Sequence, residues 1–211
     1  MIAEIPQQLN ISSFFNNCVN NFIFQPSTED NALHKSKLQL KAYLANQLGF
    51  SALFSNLLHD FKGVIEELEI KVYEPFEEGG RYFSKDFERI EGIENHVEKR
   101  IAWESLSEKL ARLNIKLMND SDCLIALLDG GHAVDDGVSS EIGYYAGIKR
   151  GPIFGLRTDS RLADNMGSPI NLQIHEFIKL SKGKLIDYSH YGSDCINVLL
   201  KAIENWKNLI L

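Results

Sequence analysis

From residue 38 onward the hydrophobic positions follow two alternating rhythms. Short apolar runs of strand length stand at 38–45 (LQLKAYLA), 68–73 (LEIKVY), 123–128 (CLIALL) and 152–156 (PIFGL). Between them, apolar residues recur every three or four positions, the period of a helix with one buried face. Leu53, Phe54, Leu57, Leu58, Phe61 and Ile65 form one such stripe, with Ser51 placed to cap it. Trp103, Leu106, Leu110, Leu113 and Leu117 form a second, and Ile142, Tyr145, Ala146 and Ile148 a third. Residues 196–209 close the chain with a fourth. A fifth strand falls at 177–180 or at 184–186. Residues 74–76 and the Gly79–Gly80 pair read as a loop, and the charged stretch 81–100 as helix in part.

Strands that alternate with helices pair side by side in the same direction. Right-handed crossovers leave few ways to connect them. The pattern therefore predicts a flavodoxin-like α/β domain over 38–211: an open sheet of about five mostly parallel strands with helices on both faces. In such a sheet ligands bind beyond the carboxyl ends of the strands, where the strand order reverses. Here that point lies between strands one and three. It sets the loop 46–51 beside the loop that follows residue 128. Residues 1–37 stand apart as an appendage. Phe14, Phe15, Cys18, Val19 and Phe22 recur at helical spacing before Pro26 and a polar run end the pattern.

The totals exclude several classes. A formal charge of −7 argues against a general nucleic-acid binder, which needs a basic surface for phosphate. The three cysteines, Cys18, Cys123 and Cys195, are too few and too scattered for a disulfide framework or a zinc site, and they fit a reducing, cytoplasmic setting. Residues 1–24 have no basic start and no unbroken apolar run, so no signal peptide is expected. No segment approaches the ~20 apolar residues of a membrane span.

Candidate chemistry concentrates at 129–141. The third strand ends at Asp129-Gly130-Gly131. Asp135, Asp136 and Gly137 follow, then Ser139, Ser140 and Glu141 near the start of a helix. The positive end of that helix favours an ionised carboxylate. An ionised carboxylate can attack an anomeric carbon and form a covalent sugar ester, which makes Glu141 the nucleophile candidate; its bland alternative is to stabilise the helix end. Two carboxyl groups with separated pKa values are the requirement of glycoside cleavage by retention, and Asp135 supplies the second. The alternative for Asp135 is an Asp-rich turn held by its own side chains. A divalent cation on Asp129, Asp135, Asp136 and Glu141 is the minor reading, and no metal or cofactor is expected. Tyr43 and Phe50 flank the first loop, either as stacking surfaces for a planar base or as core. Gly49 admits a close approach, and the first loop carries no basic residue for a phosphate. The segment Arg157 to Arg161 bounds the pocket or forms an ion-paired turn. His132, at the tip of the acidic loop, titrates near neutral pH or is simply solvated.

Four stretches taken together resemble the nucleoside 2-deoxyribosyltransferase family: KAYLANQLGFS at 41–51, LIALLDGGHAVDDGVSSEIGYYAG at 124–147, GLRTDSR at 155–161 and PINLQ at 169–173. They stand in the family's order within residues 40–180. The resemblance implies that Glu141 attacks C1′ of a 2′-deoxynucleoside and that the deoxyribosyl-enzyme passes its sugar to another nucleobase. It implies that Asp135 looks towards the base. It sets Asn114 where many members carry an Asp that helps protonate the base, so Asp135 or Asp136 takes more of that task here. It implies a homo-oligomer in which Asn171 reaches a neighbouring subunit's site, near the 5′-hydroxyl. Tyr43 matches an aromatic pocket position, and Gly49, Phe50, Asp136, Gly137, Ser140 and Gln173 complete the expected substrate contacts. The expected partners are nucleosides and free bases, with no nucleic acid and no membrane. Hydrolysis of nucleosides or nucleoside 5′-monophosphates by the same nucleophile is the alternative outcome. Nucleosides are preferred over nucleotides because Asp135 would oppose a phosphate. A nucleotide-sensing module without turnover is the alternative of another class.

Overall fold

The computed structural model describes residues 39–131, 133–161 and 167–211. The expected helical appendage at 1–37 and His132 lie outside the described residues. Among the described residues, five strands form one parallel sheet: β1 (Lys41–Ala45), β2 (Lys71–Tyr73), β3 (Cys123–Leu127), β4 (Ile153–Arg157) and β5 (Lys184–Asp187), in the order β2-β1-β3-β4-β5. Among the same residues, seven helices accompany them: α1 (Ser55–Glu66), α2 (Pro75–Glu91), α3 (His96–Asp120), α4 (Asp136–Ile148), α5 (Leu172–Leu180), the single turn α6 (Tyr188–Tyr191) and α7 (Cys195–Ile210).

The central strands are buried along their whole length, as a sheet covered on both faces requires. Successive side chains point to opposite faces. Tyr43, Ala45, Tyr73, Leu124, Ala126 and Leu128 face one layer, where they meet Leu113 and Leu117 of α3, Val138, Ile142 and Tyr145 of α4, and Ile174 and Ile178 of α5. The other face packs on Phe61 and Ile65 of α1 and on α7, whose Trp206 meets Phe154 of β4 edge to face. The crossover from β1 leads to one side of β1 and every later strand lies on the other. That reversal opens the crevice between β1 and β3.

Several boundaries differ from the periodic pattern, each for a local reason. The second strand is three residues long because the backbone at Glu69 takes a positive φ of 59° and turns the chain just before it. The stretch 74–80 is the start of α2, not a loop. Pro75 occupies the first helical position, where its missing N–H costs nothing. Glu74 caps the helix by accepting from Glu77 N at 2.7 Å. Gly79 is tolerated inside the helix because α3 runs close: a Cβ there would stand 2.9 Å from Leu110 Cδ2. Ser51 does not cap α1; it closes the 3₁₀ turn at Leu48–Phe50, its N–H donating to Leu48 O, and α1 begins at Ser55 without a side-chain cap. The fifth strand is the 184 candidate, and 177–180 belongs to α5.

Ile142 follows Glu141 on α4 and is fully buried against the sheet. Truncation there leaves a cavity under the candidate site. Ile142→Ala is expected to lower unfolding stability by about 2–5 kcal/mol, read from the urea midpoint at constant slope.

Candidate active site at the switch point

The carboxyl ends of β2, β1 and β3 lie side by side at the crevice. Tyr43 comes from β1. Its ring is fully buried in the core layer, at 0% exposure, so neither face is open to a ligand. What reaches the crevice is its hydroxyl, which donates to Glu141 Oε1 at 2.5 Å. The two residues are 98 positions apart. Their contact exists because β1 and β3 are neighbours in register, Tyr43 beside Leu124, and α4 rises directly from the loop after β3.

Glu141 is the sixth residue of α4, one turn further in than the strongest part of the helix-end field. Burial therefore governs its charge. Desolvation pushes its carboxyl up to about 7; the Tyr43 hydroxyl opposes that rise, while Asp135 and Glu74 reinforce it. Burial and the nearby Glu141 charge push the Tyr43 phenol well above the ordinary tyrosine range. Tyr43 is thus a firm donor, and Glu141 is a carboxylate poised to change charge near neutrality.

Asp135 caps α4: its Oδ1 accepts from Val138 N at 3.0 Å. Asp136 lies exposed and accepts from Gly137 N at 2.9 Å. The hydroxyls of Ser139 and Ser140 turn back on the helix, donating to the carbonyls of Asp135 and Asp136 at 2.7 and 2.8 Å. Gly137 is exposed at the first turn, and a Cβ there would stand 3.0 Å from Asp135 Oδ1.

The loop after β1 is built on Asn46. This buried amide donates to Leu44 O at 3.2 Å and to Glu74 Oε1 at 2.9 Å, and it accepts from Gly49 N at 3.2 Å. Gly49 sits against the Phe76 ring, 2.1 Å from where a Cβ would be, so any side chain there would displace the ring. Phe50 packs edge to face on Phe76, ring centroids 4.7 Å apart, yet remains 80% exposed at the mouth. Glu74 and Asn46 belong to this constellation although neither stands out along the chain. The available signal was positional: each directly follows a strand at its carboxyl end, and Glu-Pro marks a capped helix start.

The remaining expected residues stand on other elements. Asn114 is half-buried on α3, beside Leu113 of the same core layer. Asn171 is exposed and caps α5, accepting from Gln173 N at 2.9 Å; Gln173 is exposed as well. The segment after β4 forms an ion-paired turn. Asp159 binds the Arg161 side chain, which holds its carboxyl well below the usual range, and also accepts from Gly131 N at 3.0 Å. Asp129 accepts from Thr158 N, Thr158 Oγ1 and Asp159 N at 2.5–2.8 Å. Buried Arg157 ties the carbonyls of Leu128, Gly131 and Arg161 together. Asp129 thus serves as a fastener between two loops. Among the described residues no group of three or more His, Cys, Asp or Glu is arranged to hold a metal ion, and no helix is long and apolar enough to cross a membrane.

A family model described as nucleoside 2-deoxyribosyltransferase matches residues 42–173. That span takes in Tyr43, Asn46, Glu74, Asn114, Asp135, Glu141 and Asn171. No curated protein matches the chain. Among solved structures, a 2-deoxyribosyltransferase from the psychrotolerant bacterium Bacillus psychrosaccharolyticus aligns with 18% identity and a TM-score of 0.41, over 65% of this chain and 82% of that one.

The raised Glu141 carboxyl has a consequence for stability. Its ordinary value is 4.5 and its value in the fold is about 7. Between these the folded chain keeps a proton that the unfolded chain has released, so stability falls as pH rises through that window and levels off above it. Glu141→Gln removes the titration and keeps an acceptor for Tyr43. The variant is expected to match wild type near pH 4 and to exceed it at pH 8 by on the order of 1–3 kcal/mol. Denaturant unfolding at the two pH values measures the difference.

Proposed function

Because the chain belongs to the nucleoside 2-deoxyribosyltransferase family, we propose that it cleaves the N-glycosidic bond of 2′-deoxynucleosides by covalent catalysis on Glu141 and passes the sugar to a second nucleobase. The observation that carries this reading is the Tyr43 hydroxyl seated on Glu141 at 2.5 Å, at the switch point of the sheet. Tyr43 occupies one carboxylate oxygen, and the other is assigned the attack. That ionised oxygen attacks C1′. The C1′–N bond breaks, and its electron pair leaves with the base, which takes up a proton. Asp135, at the start of the same helix, is assigned that proton, with Asp136 as its second. Asn114 has amide N–H donors but no titratable proton, so the part assigned to it is to orient the base. An incoming base then attacks C1′ through its ring nitrogen, its N–H proton returning to the acid that protonated the first base, and Glu141 departs as the carboxylate.

A 5′-phosphate suits the site poorly. Glu141, Asp135, Asp136 and Glu74 crowd its margin, and an added dianion meets Coulomb repulsion from each. The Ser139 and Ser140 hydroxyls are engaged by helix carbonyls, and Arg161 by Asp159. Nucleosides are therefore the preferred substrates. Hydrolysis is the second outcome of the same intermediate, with water in place of the acceptor base.

Incubation of the protein with a 2′-deoxynucleoside and a second free base should yield the exchanged nucleoside. Glu141→Ala should lower turnover by at least about 10³-fold while the fold persists, and mass spectrometry of quenched wild type should find deoxyribose on Glu141. Base release indifferent to the acceptor would assign hydrolysis. Ligand binding with no base released at high protein concentration would assign a sensing module instead.

We further propose a homo-oligomer in which Asn171 reaches a neighbouring subunit's site. Its exposed place at the start of α5 supports this. Mixing Asn171→Ala subunits with Glu141→Ala subunits should restore activity that neither variant has alone, since one site of the mixed assembly is then intact. Absence of recovery, with both variants assembled, would leave Asn171 acting only as a helix cap.

A further inference from the structure

Polar atoms shut off from water almost always have a hydrogen-bond partner, so each exception raises the question of what supplies one. Among the described residues two side-chain atoms are buried without a partner, Arg157 Nε and Gln47 Oε1. The Arg157 atom carries one of five donors on a guanidinium whose other nitrogens already hold the carbonyls of Leu128, Gly131 and Arg161. Gln47 Oε1 is the sole acceptor of its side chain, and that acceptor is unused.

Its place in the fold is the crevice. Gln47 is the second residue after β1 and the fourth after Tyr43, so the Cα atoms of Tyr43 and Gln47 lie within about 14 Å. The backbone that carries it is pinned. Asn46, just before it, bonds to Leu44 O, Glu74 Oε1 and Gly49 N, and the Gln47 carbonyl accepts from Phe50 N at 3.3 Å. The side chain is thus a neutral acceptor, removed from water, on a fixed loop at the switch point. A phosphate dianion brings only acceptors and cannot satisfy it; a neutral hydroxyl or amine can. Resting on the reading of the crevice as a nucleoside site, we propose that Gln47 is a substrate-binding residue whose Oε1 accepts a hydrogen bond from a neutral donor of the deoxynucleoside, either a sugar hydroxyl or the exocyclic amine of the base. Such an acceptor selects among substrates, because one that lacks the donor leaves it buried and unpaired.

Equilibrium dialysis on Glu141→Ala protein, which leaves the nucleoside uncleaved, reads binding without turnover. The probes are 2′-deoxyadenosine and 2′-deoxycytidine. Adding Gln47→Met, which keeps the length of the side chain without its acceptor, should weaken whichever of the two binds tighter by at least about 10-fold. Three analogues of that nucleoside lack the 3′-hydroxyl, the 5′-hydroxyl or the exocyclic amine. One of them should bind as weakly as that to the Gln47 protein and lose nothing more on Gln47→Met, because the bond is then already missing. That analogue identifies the donor. The thermal midpoint without ligand should not fall, since the oxygen removed has no partner in the protein. Gln47→Leu takes over if Gln47→Met does not fold, and failure of both would overturn the proposal. So would an affinity within about 2-fold of the Gln47 protein, the result expected if a bridging water satisfies the atom. A loss equal for the parent and all three analogues, a lowered thermal midpoint with unchanged affinity, or no binding of either nucleoside would overturn it too. Base exchange by wild type without this coupling would keep the transferase reading and sink the Gln47 contact. The coupling in a protein that exchanges no base would do the reverse.

Discussion

The contact on which the site depends is the hydrogen bond from Tyr43 to Glu141 across the crevice between β1 and β3. A carboxylate taken from water needs a strong donor, and a charge-assisted hydrogen bond contributes about 1.5–3 kcal/mol where a neutral one contributes about 1. Tyr43 can be that donor because its ring is locked in the core layer under α3 and α4, leaving the hydroxyl a single direction. That fixed direction gives one oxygen of Glu141 a defined partner. Sheet register, helix position and the orientation of the carboxylate are therefore one constraint seen at three scales.

Around this pair the acids of the crevice divide by environment. Asp129 and Asp159 are consumed by the two loops that follow β3 and β4, and with buried Arg157 they fix the shape of that edge. Asp135 is spent in part as the cap of α4. Glu74 is sealed behind Asn46. Glu141 alone combines burial with a hydroxyl donor and a charge that changes near neutral pH. Groups of one chemical type thus acquire separate tasks through solvation and partners, the same logic that separates an attacking carboxylate from a proton-handling one.

Much of the fold was legible along the chain, and its errors are instructive. The strands at 41–45, 123–127 and 153–157 announce themselves because a strand buried on both faces must be apolar throughout. Glycines misled the reading of α2: Gly79-Gly80 suggests a loop by propensity, and only the close approach of Leu110 explains why a helix keeps Gly79. Ser51 misled by type, since its chemistry suits a helix N-cap while in the fold it closes the preceding 3₁₀ turn. Tyr43 was visible as an aromatic beside the crevice, but its part as hydroxyl donor instead of stacking surface depends on which face of β1 is covered.

The sequence by itself determined the parallel α/β architecture and the place of the acidic loop at the end of the third strand. Those follow from periodicity and local spacing, which the chain carries within any twenty residues. Tertiary structure alone decided that Tyr43 meets Glu141, that Asp129 fastens loops instead of facing a ligand, and that Asn46 and Glu74 join the site. Each of these is a contact between segments 28 or more residues apart. Strand order and burial set such contacts, and burial, more than residue type, is what moves a carboxyl from an ordinary acid to one balanced near neutrality.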